Sequence, residues 1–351
     1  MSLWCSYEKC ISTHNAYPKC DKKGEWLRQA RFRWNNVSAN TDMHITGLSD
    51  SEIKSWSGKK GFYEKSEPET LDNCKKLSGK FCLFGSWWTG HYGHTLHDNL
   101  PIYEKLRKEL PSDVSFLIPD YGSTKELLLL LSNEWSTRIK EFELKQNYEI
   151  EGEVFFFPMD NIGSYWHGIQ HHRQAIRDTL CEQEIEVTKE QIVFCPREGD
   201  NRNGRGNSKE DQEEIIRIIE RVAKNNGGGY KVFRYKEHPT PALQKEFFKD
   251  ATIILGVHGT AMTNMLWASR LCSYTQKPLQ VIECVGLTDA YGSMEDFQSG
   301  NDMGYYSQFN NGMNVSWTHL FYHPINGTFE NVRVEFSQIE YALNKAINDK
   351  P

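Results

Sequence analysis

From Gln191 onward the chain repeats one pattern: a short apolar run, a polar break, then a stretch with apolar residues at helical spacing. QIVFCPR, YKVFRY, ATIILGV and PLQVIEC are the runs, and SKEDQEEIIRIIERVAKNN, PALQKEFFKD and AMTNMLWASR lie between them. Short strands that alternate with helices do not pair as hairpins. Each returns across the sheet, which makes parallel βαβ units. The helix after the first run carries its own boundaries, with Ser208 as N-cap, Asp211 and glutamates in the first turns, and Gly227 to Gly229 as its stop.

The same alternation begins earlier. KFCLFGSWW, VSFLIP and EVFFFP read as strands, and HTLHDNLPIYEKLRKEL, KELLLLLSNEW and WHGIQHHRQAIRDTLCEQ as helices. The expectation is an α/β chain of two Rossmann-like domains. An irregular, polar segment over 1–45 precedes a first domain over 46–187 and a second over 188–334. A last amphipathic helix, FSQIEYALNKAIND, lies within 335–351.

Composition removes several function classes. The chain of 351 residues has 41 basic against 47 acidic side chains and a formal charge of −6, without a long basic run, so nucleic acid is not an expected partner. No apolar run approaches the ~18 residues of a membrane span. Nine cysteines occur without a CxxC pair, although Cys5, Cys10 and Cys20 are close enough in sequence to pair in an oxidising compartment. Sequons stand at Asn36, Asn314 and Asn326, and no signal peptide is visible. A cytoplasmic location is expected, or the secretory-pathway lumen if a leader has been removed.

Chemistry concentrates in two regions. In IILGVHGTAMTNMLWA an apolar strand runs through Gly256 and Gly259 into a helix, which brings backbone N–H groups and a helix N-terminus to one point. His258, Thr260, Thr263 and Asn264 add side-chain donors there, and both glycines would let a phosphate approach the backbone. IVFCPREGDNRNGRGN ends another strand with Arg197 and follows it with Arg202 and Arg205. Ligands of doubly wound sheets bind beyond the carboxyl ends of the strands, where both segments lie. Glu283, at the end of VIEC, is placed to accept ribose hydroxyl hydrogens. Neither GxxxxGK[ST] nor GxGxxG occurs, which weakens NTPase and dinucleotide readings.

The other region is HYGHTLHDNLP, residues 91 to 101. His94 and Asp98 are i and i+4 on the expected helix and share a face, with His97 beside them. Three readings stay open: a metal site, polar residues lining a cleft, or a catalytic pair. In the last, Asp98 or His94 is the base and the other orients it. An ordinary carboxylate is a feeble base and needs burial to raise its pKa, whereas a histidine is already poised. No HExxH or second ligand cluster supports a metal, and His167 and His171 fall on another expected helix. Trp87 and Trp88, just upstream, are candidates for stacking on an acceptor, or core residues ending a strand.

Taken in order, these motifs resemble one family. GHTLHDNLPIY is similar to GHxLxDxxxPxY, and GVHGTAMTN to GxHGAxLTN. An Arg- and Asn-rich loop stands between them, and a strand with a Glu follows. The order resembles glycosyltransferase family 61 over roughly residues 80 to 290. Pro196 precedes Arg197 where a Ser is usual, and Thr260 stands where Ala is usual. The resemblance implies an inverting transferase of GT-B type, with two Rossmann-like domains facing a cleft and the final helix crossing back to the first. It implies a nucleotide-sugar donor, UDP-linked, and a glycan or glycoprotein acceptor. Arg197, Arg202, His258, Gly259, Thr260, Thr263, Asn264 and Glu283 would hold the donor. Asp98 and His94 would be catalytic, and His97, Trp87 and Trp88 would meet the acceptor. No metal or other cofactor is implied. The rival expectations are an inert carbohydrate-binding protein on the same fold and a His/Asp metal-dependent hydrolase.

Overall fold

A computed structural model of the chain describes residues 25–34, 43–46, 63–65, 71–85, 91–158, 187–197, 208–257, 259–272, 277–286, 314–322, 324–325, 328–332 and 335–348. Two compact units divide it: Pro18–Thr179, and Leu180–Pro351 together with Met1–Tyr17. The helix expected over WHGIQHHRQAIRDTLCEQ, Arg202, His258, Trp87 and Trp88 lie outside the described residues, as do the side chains of His97 and Asp98.

The first unit is built on a mixed sheet. Strands β1 (Glu25–Arg28), β2 (Arg31–Trp34), β3 (Met43–Ile45) and β4 (Tyr63–Lys65) precede the longer β5 (Lys75–Gly85). A helical turn (Tyr92–His94), a π-helical turn (Thr95–Asn99) and α1 (Leu100–Glu109) follow, then β6 (Val114–Pro119), α2 (Thr124–Leu131), α3 (Trp135–Arg138), β7 (Ile139–Phe142) and β8 (Tyr148–Pro158). The order is β4-β3-β2-β8-β5-β6-β7, with β1 also on β8. The expected parallel pairs are present in β8-β5-β6-β7. The segment over 1–45 is not wholly irregular, however. β1 and β2 pair antiparallel with β8, and β3 with β2. Strands this short have little periodicity of their own and are fixed by the long strand they pair with.

Alternation along β5 assigns the two faces. Phe81 and Leu83 join a core with Phe32, Trp34, Phe142, Tyr148 and Phe156. Phe84 points the other way, into an edge-to-face aromatic cluster in which Tyr103 of α1 meets Phe84 and Trp135, and Trp135 meets Phe116. Helix α1 ends against a buried arginine. The Arg138 guanidinium donates to the carbonyls of Arg107 (2.9 Å) in the last turn of the helix, Pro111 (2.8 Å) in the loop after it and Val114 (3.0 Å) at the start of β6, so its charge ties the helix end to the strand.

The second unit holds β9 (Gln191–Cys195), α4 (Lys209–Asn225), β10 (Gly229–Val232), α5 (Pro241–Phe248) and β11 (Ile253–Val257). After β11 come a 3-10 helix (Thr260–Trp267), a shorter one (Ser269–Cys272), β12 (Leu279–Gly286), β13 (Val315–Tyr322), the hairpin β14 (Pro324–Ile325) and β15 (Thr328–Val332), and α6 (Phe336–Asn348). All pairings in the order β10-β9-β11-β12-β13 are parallel. Numbered within the sheet this is the doubly wound order 2-1-3-4-5, whose winding reverses between its first and third strands, β9 and β11.

Local signals explain the helices here. Ser208 Oγ accepts from the Asp211 N–H at 3.0 Å, and α4 stops at Gly227, which has φ +68°, with the Gly228 N–H returning to the Ala223 carbonyl at 3.0 Å. The final helix packs within the second unit. Ile339, Ala342, Leu343 and Ala346 of α6 pack with Ile215, Ile219 and Val222 of α4 in the second unit's core, and Arg221 pairs with Glu340 at 2.9 Å. Its apolar face fits the α4 face of this sheet, and burial there holds it. Among the described residues no helix is long and apolar enough to cross a membrane.

Candidate functional site

The switch between β9 and β11 brings two of the expected donor-site residues together. Arg197 follows β9 and Gly259 follows β11, and Gly256 pairs with Cys195 across the ladder. A Cβ built on Gly259 would lie 3.2 Å from Nη1 of Arg197, so the guanidinium rests against a backbone that carries no side chain. Arg197 is half-buried. Beyond Gly259 the 3-10 helix begins at Thr260, and the first amides of such a helix have no acceptor within it. A cationic fork, exposed amides and a bare glycine backbone at the carboxyl edge of parallel strands form a cradle for an anion.

Gly256 serves packing rather than ligand approach. A Cβ there would meet the Met262 sulfur at 2.5 Å and Cys195 Cβ at 2.8 Å. Its missing side chain lets Met262 seat the helix on the strand. That helix is 3-10 along its length, where an α-helix is the expectation. Two side chains account for it: Thr263 donates to the Thr260 carbonyl at 2.6 Å and Asn264 to the Ala261 carbonyl at 3.2 Å. Both bonds span three residues and favour the tighter turn. Asn264 also donates to Gln244 Oε1 at 2.9 Å, and both residues are buried. Thr263 and Asn264 therefore tie the helix to its own backbone and to α5.

Glu283 differs from its expected place at a strand end. Strand β12 continues to Gly286, and Glu283 is wholly buried inside it. Its Oε2 lies 3.2 Å from Nε2 of His319 on the neighbouring β13, whose ring stacks on Trp317. The carboxylate thus lies inside the sheet with this imidazole beside it. His319 had a signal in the sequence, since VSWTHLFY is β-branched and aromatic with alternating character.

In the first unit, the stretch expected to be one helix contains a π-turn. The Leu100 N–H bonds to the Thr95 carbonyl five residues back. Single π-turns inside helices are uncommon and concentrate at functional sites. Thr95 is fully buried and its hydroxyl stands 3.5 Å from that of Thr124, the first residue of α2, also fully buried. Asp98 lies within the turn and His94 immediately before it. The His91 and His94 rings are 5.1 Å apart. Burial, and secondarily the neighbouring His91, push the His94 imidazole down to about 3; burial also lowers His91, although part of that residue is exposed. His94 is thus neutral across the physiological range. Among the described residues no group of three His, Cys, Asp or Glu side chains could hold a metal ion.

Comparison with known proteins agrees with the motifs. No curated protein matches the chain. Among solved structures, an NAD(P)H:quinone oxidoreductase from Methanothermobacter marburgensis is similar at 10% identity and a TM-score of 0.25, covering 46% of this chain and 94% of that one. The family model described as Glycosyltransferase 61 matches residues 92–274, from the helical turn that leads into the π-turn to beyond the 3-10 helix of the cradle. With the family's motifs accounting for both regions, the chain belongs to glycosyltransferase family 61.

Proposed function

We propose that this chain is an inverting glycosyltransferase that moves a sugar from a UDP-linked donor to a hydroxyl of a glycan or glycoprotein. The observation that carries the reading is the Arg197 guanidinium against the bare backbone of Gly259 at the switch point of the parallel sheet. A nucleoside diphosphate is the leaving group such a cradle suits. As the anomeric C–O bond breaks, negative charge grows on the distal phosphate. Arg197 and the amides at the start of the 3-10 helix meet that charge with groups already in position. In this reading they do the work that a divalent cation does in other sugar transferases.

Inversion needs one direct displacement, with the acceptor oxygen attacking the face opposite the diphosphate. The π-turn supplies the base. His94, neutral with its pKa depressed to about 3, holds a proton too weakly to be the acceptor at neutral pH. Asp98 takes the proton of the attacking hydroxyl, and His94 orients it or the hydroxyl by a neutral hydrogen bond. In this proposal the fold is of GT-B type, with donor binding assigned to the second unit and acceptor binding to the first. Arg202 and His258 belong to the donor side of this proposal, and His97, Trp87 and Trp88 to the acceptor side.

The test is calorimetric titration with UDP, GDP and ADP, followed by turnover of the corresponding nucleotide-sugars with and without chelator. UDP binding, slow donor hydrolysis without acceptor, and indifference to chelator are expected. Asp98→Asn is expected to abolish turnover while keeping UDP affinity. A wild-type chain that binds none of the nucleotides sinks the proposal.

A further inference from the structure

Among the described residues of the first unit, Trp26 and Tyr121 are the large apolar side chains left exposed. Trp26 rests edge-on against Phe155 in the sheet. Tyr121 is different: it is 58% exposed, in the loop that joins β6 to α2.

Geometry ties that loop to the π-turn. β5 and β6 are parallel neighbours with Leu83 opposite Leu117, so Gly85 and Pro119 end at the same edge of the sheet. The π-turn follows the first of these strands and the loop follows the second. At the far end of the loop, the buried Thr124 hydroxyl stands 3.5 Å from that of Thr95, one residue past His94. At the near end the Asp120 N–H donates to the Phe142 carbonyl at 2.9 Å. Gly122, at φ +83°, takes the left-handed conformation that turns the loop between these anchors. Three residues of chain span no more than about 10 Å, so the Tyr121 backbone stays within that reach of Thr124, whose hydroxyl faces the turn that carries His94 and Asp98.

A ring held in water on an anchored loop contributes nothing to folding, yet it binds with little loss of conformational entropy. Its face carries the negative side of the aromatic quadrupole. A pyranose offers the complement: a face of C–H bonds, polarised positive, with hydroxyls around its rim. Asp120, the exposed carboxylate beside Tyr121, is an acceptor for such hydroxyls. We infer that Tyr121 is the platform on which a pyranose ring of the acceptor stacks, with Asp120 accepting from its hydroxyls. This deepens the transferase reading and rests on it for the word acceptor.

Saturation-transfer NMR with methyl glycosides of glucose, galactose, mannose, xylose and N-acetylglucosamine tests it, in the presence of UDP. At least one glycoside is expected to bind wild type through its C–H face. Tyr121→Ala is expected to weaken that binding at least tenfold, Tyr121→Trp to retain it, and Asp120→Asn to weaken it by less. Equal binding by wild type and Tyr121→Ala overturns the platform, as does the absence of binding by any glycoside. UDP affinity, read separately by calorimetry, is expected to be the same in all variants. A chain that binds glycosides through Tyr121 but no nucleotide keeps the platform and overturns the transferase.

Discussion

Arg197 and Gly259 belong to different strands, and they meet because β9 and β11 are neighbours: Nη1 of the arginine stands 3.2 Å from where a side chain on residue 259 would begin. The two act as a unit, so changing either should affect the same ligand. Arg197→Ala is expected to weaken UDP binding by ~1.5–3 kcal/mol, the worth of a charged hydrogen bond, or roughly 10- to 150-fold in Kd. Arg197→Lys should recover only part, since an ammonium cannot present two parallel donors. Gly259→Ala should weaken UDP by displacing the guanidinium, and should also lower the melting temperature, because residue 259 holds φ +159° and ψ 177°, a conformation that side-chain residues rarely adopt. Calorimetric titration of the three variants checks this.

At Gly256 the cost is one of packing rather than of backbone conformation. A methyl group there meets the Met262 sulfur at 2.5 Å and Cys195 Cβ at 2.8 Å, both inside the fold. Gly256→Ala should cost about 1–3 kcal/mol of stability, as overpacking does. The melting temperature should fall by roughly 2–4 °C per kcal/mol. A fall in UDP affinity should accompany it only through the displaced 3-10 helix. Thermal unfolding with and without UDP separates the two effects.

His94 gives the protein an acid-side weakness. Its folded pKa of about 3 lies below the ordinary histidine value of 6.5, so between these limits the unfolded chain binds more protons than the folded one. Stability therefore falls as pH drops from about 6.5 toward 3, and His91, shifted in the same direction, adds to the fall. His94→Gln should flatten the melting temperature against pH over that window. In turnover, His94 should give no inflection near 6.5, and a pH profile of kcat/KM measures this directly.

The Glu283–His319 pair is a structural debt of the second sheet. Removing the imidazole leaves a wholly buried carboxylate without its 3.2 Å partner. His319→Ala is expected to lower stability by ~1–3 kcal/mol, and His319→Ala combined with Glu283→Gln by less than the two single changes added. Denaturant unfolding of the double-mutant cycle gives the coupling.

What was legible in the sequence was local. Helix α4 shows its cap at Ser208, its apolar stripe and its stop at Gly227 within one stretch of chain. The buried parallel strands β9, β11 and β12 announce themselves as apolar runs, because both of their faces are covered. Tyr121 carries no such mark, since an exposed aromatic between an aspartate and a glycine reads as an ordinary turn. The 3-10 geometry of Thr260–Trp267 depends on where Thr263 and Asn264 send their hydrogens, which helical periodicity does not report.

By itself the sequence determined the alternation of strands and helices, the ends of the best-capped helix, and the motifs that mark the family. Tertiary structure decided which strands are neighbours, and so which residues meet. Had β10 lain between β9 and β11, Arg197 and Gly259 would stand a strand apart. Glu283 was open to either role until β13 paired beside it and placed His319 against its carboxylate. Strand order comes from burying both faces of one sheet under helices wound in opposite senses. That is a property of the assembled layers, and no single segment contains it.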